Sequence, residues 1–237
     1  MHRVIMTSQT YRQASTSRSE AAAIDPENKL LWRFPRHRLE GEVIRDGALS
    51  VAGLLNIKMG GPSVFPELPV GLEGRGGWNV TKDKEEPNRR SVYVFVRRNA
   101  RYPMFETFDM PDTHESCARR NVTTSPLQAL SMLNDKVTLE WARSFAGRVL
   151  GTGGAEQAKQ IRAAYELALA RPPTAHEEKI VVAFFEEHSK IVAERLEDEE
   201  RLALPPGLPE NGDKVAAATL VDFCHMLLNS NEFVYLN

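Results

Sequence analysis

The residues with the greatest chemical potential are concentrated between Asp109 and Arg120. This segment contains two carboxylates, Asp109 and Asp112, the imidazole of His114 and the thiol of Cys117. A thiolate near imidazole and guanidinium groups can act as a nucleophile or a metal ligand. The alternative is an ordered loop in which the aspartates cap turns or pair with arginines and the cysteine packs as a small apolar residue. We favour the loop, because a single cysteine without a positioned general base is weak support for catalysis.

Several arginines bracket this segment. The candidate ligand-binding residues are Arg90, Arg97, Arg98, Arg119 and Arg120. A guanidinium fork suits carboxylate, phosphate or sulfate groups, so the set predicts a site for an anionic ligand. The structural alternative is a network of ion pairs with Asp109, Asp112 and acidic residues elsewhere. We favour the network, because most arginine clusters in near-neutral domains are paired or solvated.

The rest of the sequence lacks a complete cofactor or metal motif. The glycine-rich segments 60–63 and 71–77 lack the Gly-Lys-Ser/Thr ending of a phosphate-binding loop. His176 lacks a second histidine four residues later, and Cys117 and Cys224 cannot form a C-x-x-C pair or a C-x-x-C-H haem attachment site. We therefore predict no metal site and no cofactor in this chain.

Composition places the chain among ordinary globular proteins. It has 237 residues, 42% of them hydrophobic and 26% charged, with a net charge of -2, and a chain of this size buries roughly 70% of its surface. Through Ser125 there are 19 Lys and Arg against 15 Asp and Glu, a net +4 that is too small for a typical nucleic-acid-binding protein. No apolar run has the length of a signal peptide or a membrane span, so we expect neither.

The hydrophobic pattern predicts a mainly α protein, a helical array or bundle with a small β element and long ordered loops. The residues that could open two helices through capping boxes are Ser125 with Gln128 and Thr174 with Glu177. The predicted inward faces comprise Leu127, Leu130 and Leu133 in one helix, and Val137, Trp141, Phe145 and Val149 in the next. These patterns predict a helical bundle over 125–237, preceded by an irregular, arginine-rich region over 1–124.

The first half gives weaker signals. We expect a helix from Pro35 to about Leu55 and long loops from Met59 to Asn88. Residues 91–96 alternate β-branched and aromatic side chains and predict a strand near 91–97, which needs a partner from the 64–81 segment.

Eight separated segments, in one order, carry a family resemblance. They are TSQTYRQ at 7–13, DPENKLLWR at 25–33, EVIRD at 42–46, GGPSV at 60–64, RSVY at 90–93, FDMPD at 108–112, TTSPLQAL at 123–130 and LNSNEF at 228–233. Together they resemble the planctomycete-specific domain of unknown function (the 1553 type) found in large proteins that bear a cytochrome c module. The resemblance implies a single domain over 1–237 that matches the C-terminal part of the family domain, with haem c on an upstream domain. Members of the family are often exported or periplasmic.

Three interpretations of function follow. The first is a non-catalytic binding or assembly module whose arginine-rich face binds an anionic polysaccharide or, as the resemblance implies, an upstream cytochrome c module. The second is an enzyme domain, a hydrolase or oxidoreductase acting on anionic or sulfated polysaccharide through Asp109, Asp112, His114 and Cys117. The third is a structural fragment that packs against further sequence, for which exposed apolar side chains at Val4, Ile5 and Met6 are the expected sign.

Overall fold

The computed structural model describes residues 1–72, 75–198 and 201–236. About half of the chain is helical, which confirms the mainly α prediction. The helices are α1 (His2–Met6), α2 (Ser19–Ile24), α3 (Gly41–Val51), α4 (Pro103–Thr107), α5 (Pro126–Asn134), α6 (Lys136–Gly153), α7 (Gln157–Leu169), α8 (Ala175–Glu197), α9 (Lys214–Leu228) and α10 (Asn231–Val234). The strands are β1 (His37–Arg38) and β2 (Tyr235–Leu236). None of the described helices has the length and apolar character needed to cross a bilayer.

The helical bundle is built around α9. Its side chains Leu220, Val221, Phe223 and Leu228 are almost completely buried, so this helix is apolar around most of its circumference. This helix packs most extensively against α6. The predicted inward face of α6 is buried at Trp141, Phe145 and Val149. Residues from both halves of the chain belong to one hydrophobic core cluster, which therefore connects the bundle with the arginine-rich region.

Local polar signals begin the helices where the sequence predicts. The capping boxes at Ser125 with Gln128 and at Thr174 with Glu177 are both formed. Asp135 begins α6 by accepting a hydrogen bond from the N–H of Val137 at 2.9 Å. These contacts satisfy N–H groups that have no partner within the helix.

The acidic residue of the second capping box also cross-links the chain. Arg171 binds Glu177 at 2.8 Å and Glu232 at 2.5 Å, which connects the start of α8 with α10. The hydrogen bonds from Arg171 outweigh burial and lower the pKa of Glu177 from 4.5 to about 2. This carboxylate therefore stabilises the fold above its unfolded pKa of 4.5, and its contribution is lost as the pH falls toward 2.

We expect Glu177→Gln to lower the free energy of unfolding by about 1–2 kcal/mol near neutral pH, since the pair is partly exposed to solvent. Urea unfolding of both proteins at neutral and acidic pH would measure the difference. The difference in the free energy of unfolding should become smaller at acidic pH, as the carboxylate of the wild type becomes protonated. A difference that is the same at neutral and acidic pH would show that the charge of Glu177 does not contribute to stability.

The predicted strand at 91–96 is wrong. Ser91–Tyr93 form a single 3-10 turn, and only Val94 makes an isolated bridge, with Val64. The predicted partner segment is nevertheless used, because Val64 exchanges backbone hydrogen bonds with Tyr93 and Phe95 at 2.8 and 2.9 Å. The turn forms because the side chain of Asp46 accepts the N–H and hydroxyl of Ser91, both at 2.7 Å, which fixes the backbone away from an extended ladder.

The β pairing of the described residues lies elsewhere. His37 pairs with Leu236 and Arg38 with Tyr235 in an antiparallel arrangement. The helix predicted from Pro35 to about Leu55 is correspondingly shorter, since α3 covers Gly41–Val51 and the residues before it are extended. The β element is thus formed by two segments that are far apart in the sequence.

The predicted inward face of α5 is also wrong. Leu127, Leu130 and Leu133 are 69%, 51% and 50% exposed, whereas Gln128 and Met132 are buried. The amide of Gln128 points inward because its Nε2 donates to the carbonyl of Thr107 at 3.1 Å. A polar contact therefore determines which side of this helix faces the core.

The first 34 residues are mostly exposed to solvent. Their side-chain hydrogen bonds stay within the segment, as between Asp25 and the N–H groups of Lys29 and Leu30. The sign expected of a structural fragment is present, since the apolar side chains of Val4, Ile5 and Met6 are at least half exposed to solvent. That interpretation itself stays a prediction.

Candidate functional site

Asp109 is the centre of a partly buried hydrogen-bond network. It has a left-handed φ of 62°, and its carboxylate accepts hydrogen bonds from the guanidinium of Arg38 and from both the N–H and the hydroxyl of Thr123, the latter two at 2.8 Å. The Nε2 of Gln128 adds a longer contact at 3.5 Å. Asp109 therefore joins three distant segments of the chain.

The network fixes the charge of Asp109. Burial alone would raise its pKa, but the hydrogen bonds from Thr123 and the charge of Arg38 hold the pKa below its usual value. Both carboxylate oxygens have partners within the chain, so this group is poorly placed to take a proton from a substrate. The geometry gives Asp109 a structural role.

The other predicted catalytic residues lie near one another only in part. Asp112, Cys117 and Arg119 line an open depression of about 550 Å³ together with Asp109, and His114 does not line it. Asp112 accepts the N–H of His114 at 3.0 Å, while the exposed thiol of Cys117 contacts the carbonyl of Arg119 at 3.2 Å. Among the residues that the structure describes, this thiol has no hydrogen bond to an imidazole. Within the described ranges, no three His, Cys, Asp or Glu side chains are placed to hold a metal.

The five predicted ligand-binding arginines have different surroundings. Arg120 is part of an ion-pair network, because it binds Glu40 at 2.6 Å and Glu42 at 2.9 Å. Arg97 packs beside Gly77, where a Cβ atom would lie 3.2 Å from the Arg97 Nη1. The five side chains do not line one common pocket among the described residues, and only Arg119 borders the depression next to Asp109.

Four of these arginines make no ion pair with an acidic residue that the structure describes. They are Arg90, Arg97, Arg98 and Arg119. Asp109 and Asp112, two of the predicted partners, contact other groups, since Asp109 binds Arg38 and Asp112 accepts the backbone N–H of His114. Arg90, Arg98 and Arg119 are also exposed to solvent, so their guanidinium groups can reach a partner molecule.

Two further arginines, which are not among the five candidate ligand-binding residues, are buried. Arg45 donates to the carbonyl of Arg89 at 3.0 Å and to that of Pro87 at 2.5 Å. Arg89 in turn donates to the carbonyl of Pro62 at 3.0 Å and lies over the ring of Tyr93, with 3.8 Å from its Cζ to the ring centroid. The signal available in the sequence was the resemblance itself, because segments 42–46, 60–64 and 90–93 meet at these two side chains.

The fold and these contacts define a mainly α-helical protein whose motif residues largely cross-link distant segments. The family described as PSD1, protein of unknown function (DUF1553), has a model that matches residues 1–185, and the chain belongs to this family. The match contains seven of the eight segments on which the resemblance rests, and it confirms that resemblance. No curated protein and no solved structure matched the chain.

Proposed function

We propose that this chain is a non-catalytic binding and assembly module that holds an anionic partner through exposed arginines. The observation that carries the proposal is that Arg90, Arg97, Arg98 and Arg119 have no acidic partner among the described residues. Three of them, Arg90, Arg98 and Arg119, are exposed, and Arg97 is half-buried. Guanidinium groups that are not neutralised within the chain remain available for carboxylate or sulfate groups of another molecule. Arg120 is set apart from this group by its contacts with Glu40 and Glu42.

An anionic polysaccharide is the partner that the chemistry supports best. Arg97 and Arg98 are consecutive and Arg90 lies seven residues earlier, so the positive charge extends along the chain instead of surrounding one small pocket. Repeated carboxylate or sulfate groups on a polymer suit such an extended surface, because several weak charge pairs form at once. An upstream cytochrome c module, as the resemblance implies, is the competing partner.

The alternative function is an enzyme domain acting on anionic or sulfated polysaccharide. Asp109, Asp112, Cys117 and Arg119 share one depression, which favours it. The geometry supports it less than binding, because the carboxylate of Asp109 is saturated with hydrogen bonds and Cys117 contacts a backbone carbonyl. Analysis of the polysaccharide after incubation with the protein distinguishes the two functions, since only the enzyme would shorten or desulfate it.

The test uses polygalacturonate and dextran sulfate as probes. We expect Arg97→Gln with Arg98→Gln to weaken binding about tenfold at low salt, since each screened pair contributes up to about 1 kcal/mol. Binding by the wild-type chain should also weaken with added salt. The measurement is an equilibrium binding titration on an immobilised polysaccharide.

The matched control removes the same charge from another surface. Lys159→Gln with Arg162→Gln neutralises two partly exposed cations on α7, which pair with Glu156 and Glu166. This control should bind as the wild type does. Equal affinity of all three proteins, or no binding to either polysaccharide, would contradict the proposal. Binding to a purified c-type cytochrome instead would select the competing partner.

A further inference from the structure

A cleft of about 350 Å³ lies where α3, the 80–88 segment and α6 meet. Its lining includes the buried side chains of Arg45, Tyr102 and Trp141, together with the lysines Lys82 and Lys84. The two halves of the chain both contribute walls, which is a frequent location for small-molecule sites. None of the residues discussed above as exposed ligand-binding arginines lines this cleft.

The positive charge of Arg45 is only partly offset within the chain. Its closest carboxylate oxygen belongs to Asp46, at 3.6 Å, and that oxygen already accepts two hydrogen bonds from Ser91. The Nε–H of Arg45 has no hydrogen-bond partner among the described residues. Burial lowers the pKa of Arg45, although the nearby Tyr102 and Asp46 oppose this effect. The guanidinium of Arg45 therefore raises the electrostatic potential in the cleft, because charges inside a protein are screened less than charges in water.

The lysines add to this potential. Neither Lys82 nor Lys84 forms an ion pair with a described residue. Of the three lining carboxylates, Glu140 pairs with Arg143 at 2.7 Å. Asp83 accepts the N–H groups of Glu85 and Glu86 at 2.7 and 3.0 Å, so its hydrogen bonds are directed to the backbone. Asp83 and Glu67 form no ion pair within the described part of the chain, and a bound anion must lie nearer to the lysines than to these two carboxylates.

We infer that this cleft is a binding site for a small organic anion that carries one carboxylate, sulfate or phosphate group. The anionic group would lie between Lys82 and Lys84 in the field of Arg45, and the rest of the ligand would face the apolar lining from Leu54 and Val80. The volume is at the lower end of ligand pockets, which limits the occupant to a single ring or a short chain. This site is separate from the polysaccharide surface and does not depend on it.

The indole N–H of Trp141 provides a local probe. We expect its NMR signal to shift when glucuronate, sulfate or phosphate is titrated into the protein, because Trp141 lines the cleft. Trp32 serves as an internal control, since its indole donates to the carbonyl of Asp25 within the N-terminal segment. The anion that causes a saturable shift at the lowest concentration identifies the chemical source of the group.

Variants separate this site from the proposed function. Lys82→Gln with Lys84→Gln should weaken the binding of the small anion at least about fivefold at low salt, and Arg97→Gln with Arg98→Gln should leave it unchanged. Lys179→Gln with Lys190→Gln on α8 is the matched control for charge. No saturable shift of Trp141 with any of the three anions would overturn the inference. An affinity for the small anion that Lys82→Gln with Lys84→Gln leaves unchanged would also overturn it.

Discussion

Replacing Asp109 by alanine is expected to lower the free energy of unfolding by about 3–5 kcal/mol, the range for breaking a buried ion pair. The substitution leaves the guanidinium of Arg38 buried without its carboxylate, since that side chain is only 3% exposed. It also removes the acceptor for the N–H and hydroxyl of Thr123 and puts alanine at a φ of 62°, which favours glycine, asparagine or aspartate. Chemical denaturation at neutral pH measures the loss.

Asp112→Ala is the matched control, because it removes the same side chain three positions later. Asp112 is exposed and accepts one backbone N–H, from His114, so we expect a loss below about 1 kcal/mol. Similar small losses for both variants would contradict the structural role of Asp109. That result would restore Asp109 as a candidate for chemistry.

Replacing Leu220 by alanine is expected to lower the free energy of unfolding by about 2–5 kcal/mol. Leu220 is 1% exposed in the middle of α9, the helix that packs against α6 and α8. Removing its branched end leaves a cavity that the surrounding helices can fill only in part. Denaturant unfolding of the variant and the wild type gives the difference directly.

Leu130→Ala makes the same chemical change on α5, at a position that the hydrophobic pattern predicts to be buried. Because Leu130 is largely solvent-exposed, we expect a change within about 0.5 kcal/mol. A loss as large as that of Leu220→Ala would mean that the leucine face of α5 is covered in the folded protein.

Features determined by neighbours in the sequence were predictable. The capping box of Thr174 and Glu177 depends on residues three positions apart, and the buried face of α6 depends on spacings of three and four. Both depend on local geometry, so one helical segment contains the information.

Features determined by contacts with distant segments could not be predicted from the sequence. On α5, the pattern of three leucines indicates one face, but Gln128 turns the opposite face inward to reach Thr107 and Asp109. At Ser91, the β-branched and aromatic residues that follow favour a strand, but the side chain of Asp46 binds the backbone and produces a turn. In each case a hydrogen bond to another segment outweighs an intrinsic preference.

The same distinction applies to the candidate site. The composition of the loop around Asp109 fits either a chemically active segment or the ordered loop with paired aspartates that we favoured, but it does not identify the partner of Asp109, which is Arg38, 71 positions earlier. Residue type alone does not separate the buried Arg45 and Arg89 from surface arginines, although both lie in or next to segments that carry the family resemblance. The cleft beside Arg45 could therefore be found only from the packing of α3 against α6.

The pairing of β1 with β2 has a consequence for the order of folding. His37 and Leu236 are separated by 199 positions, and closing a flexible loop of that length costs about 5 kcal/mol of chain entropy. A sheet of two residues per strand cannot offset this cost, so the helices must first bring its strands together. During synthesis, β1 therefore stays unpaired until β2 has been translated. The segment that contains β1 is accessible to proteases and chaperones throughout that interval.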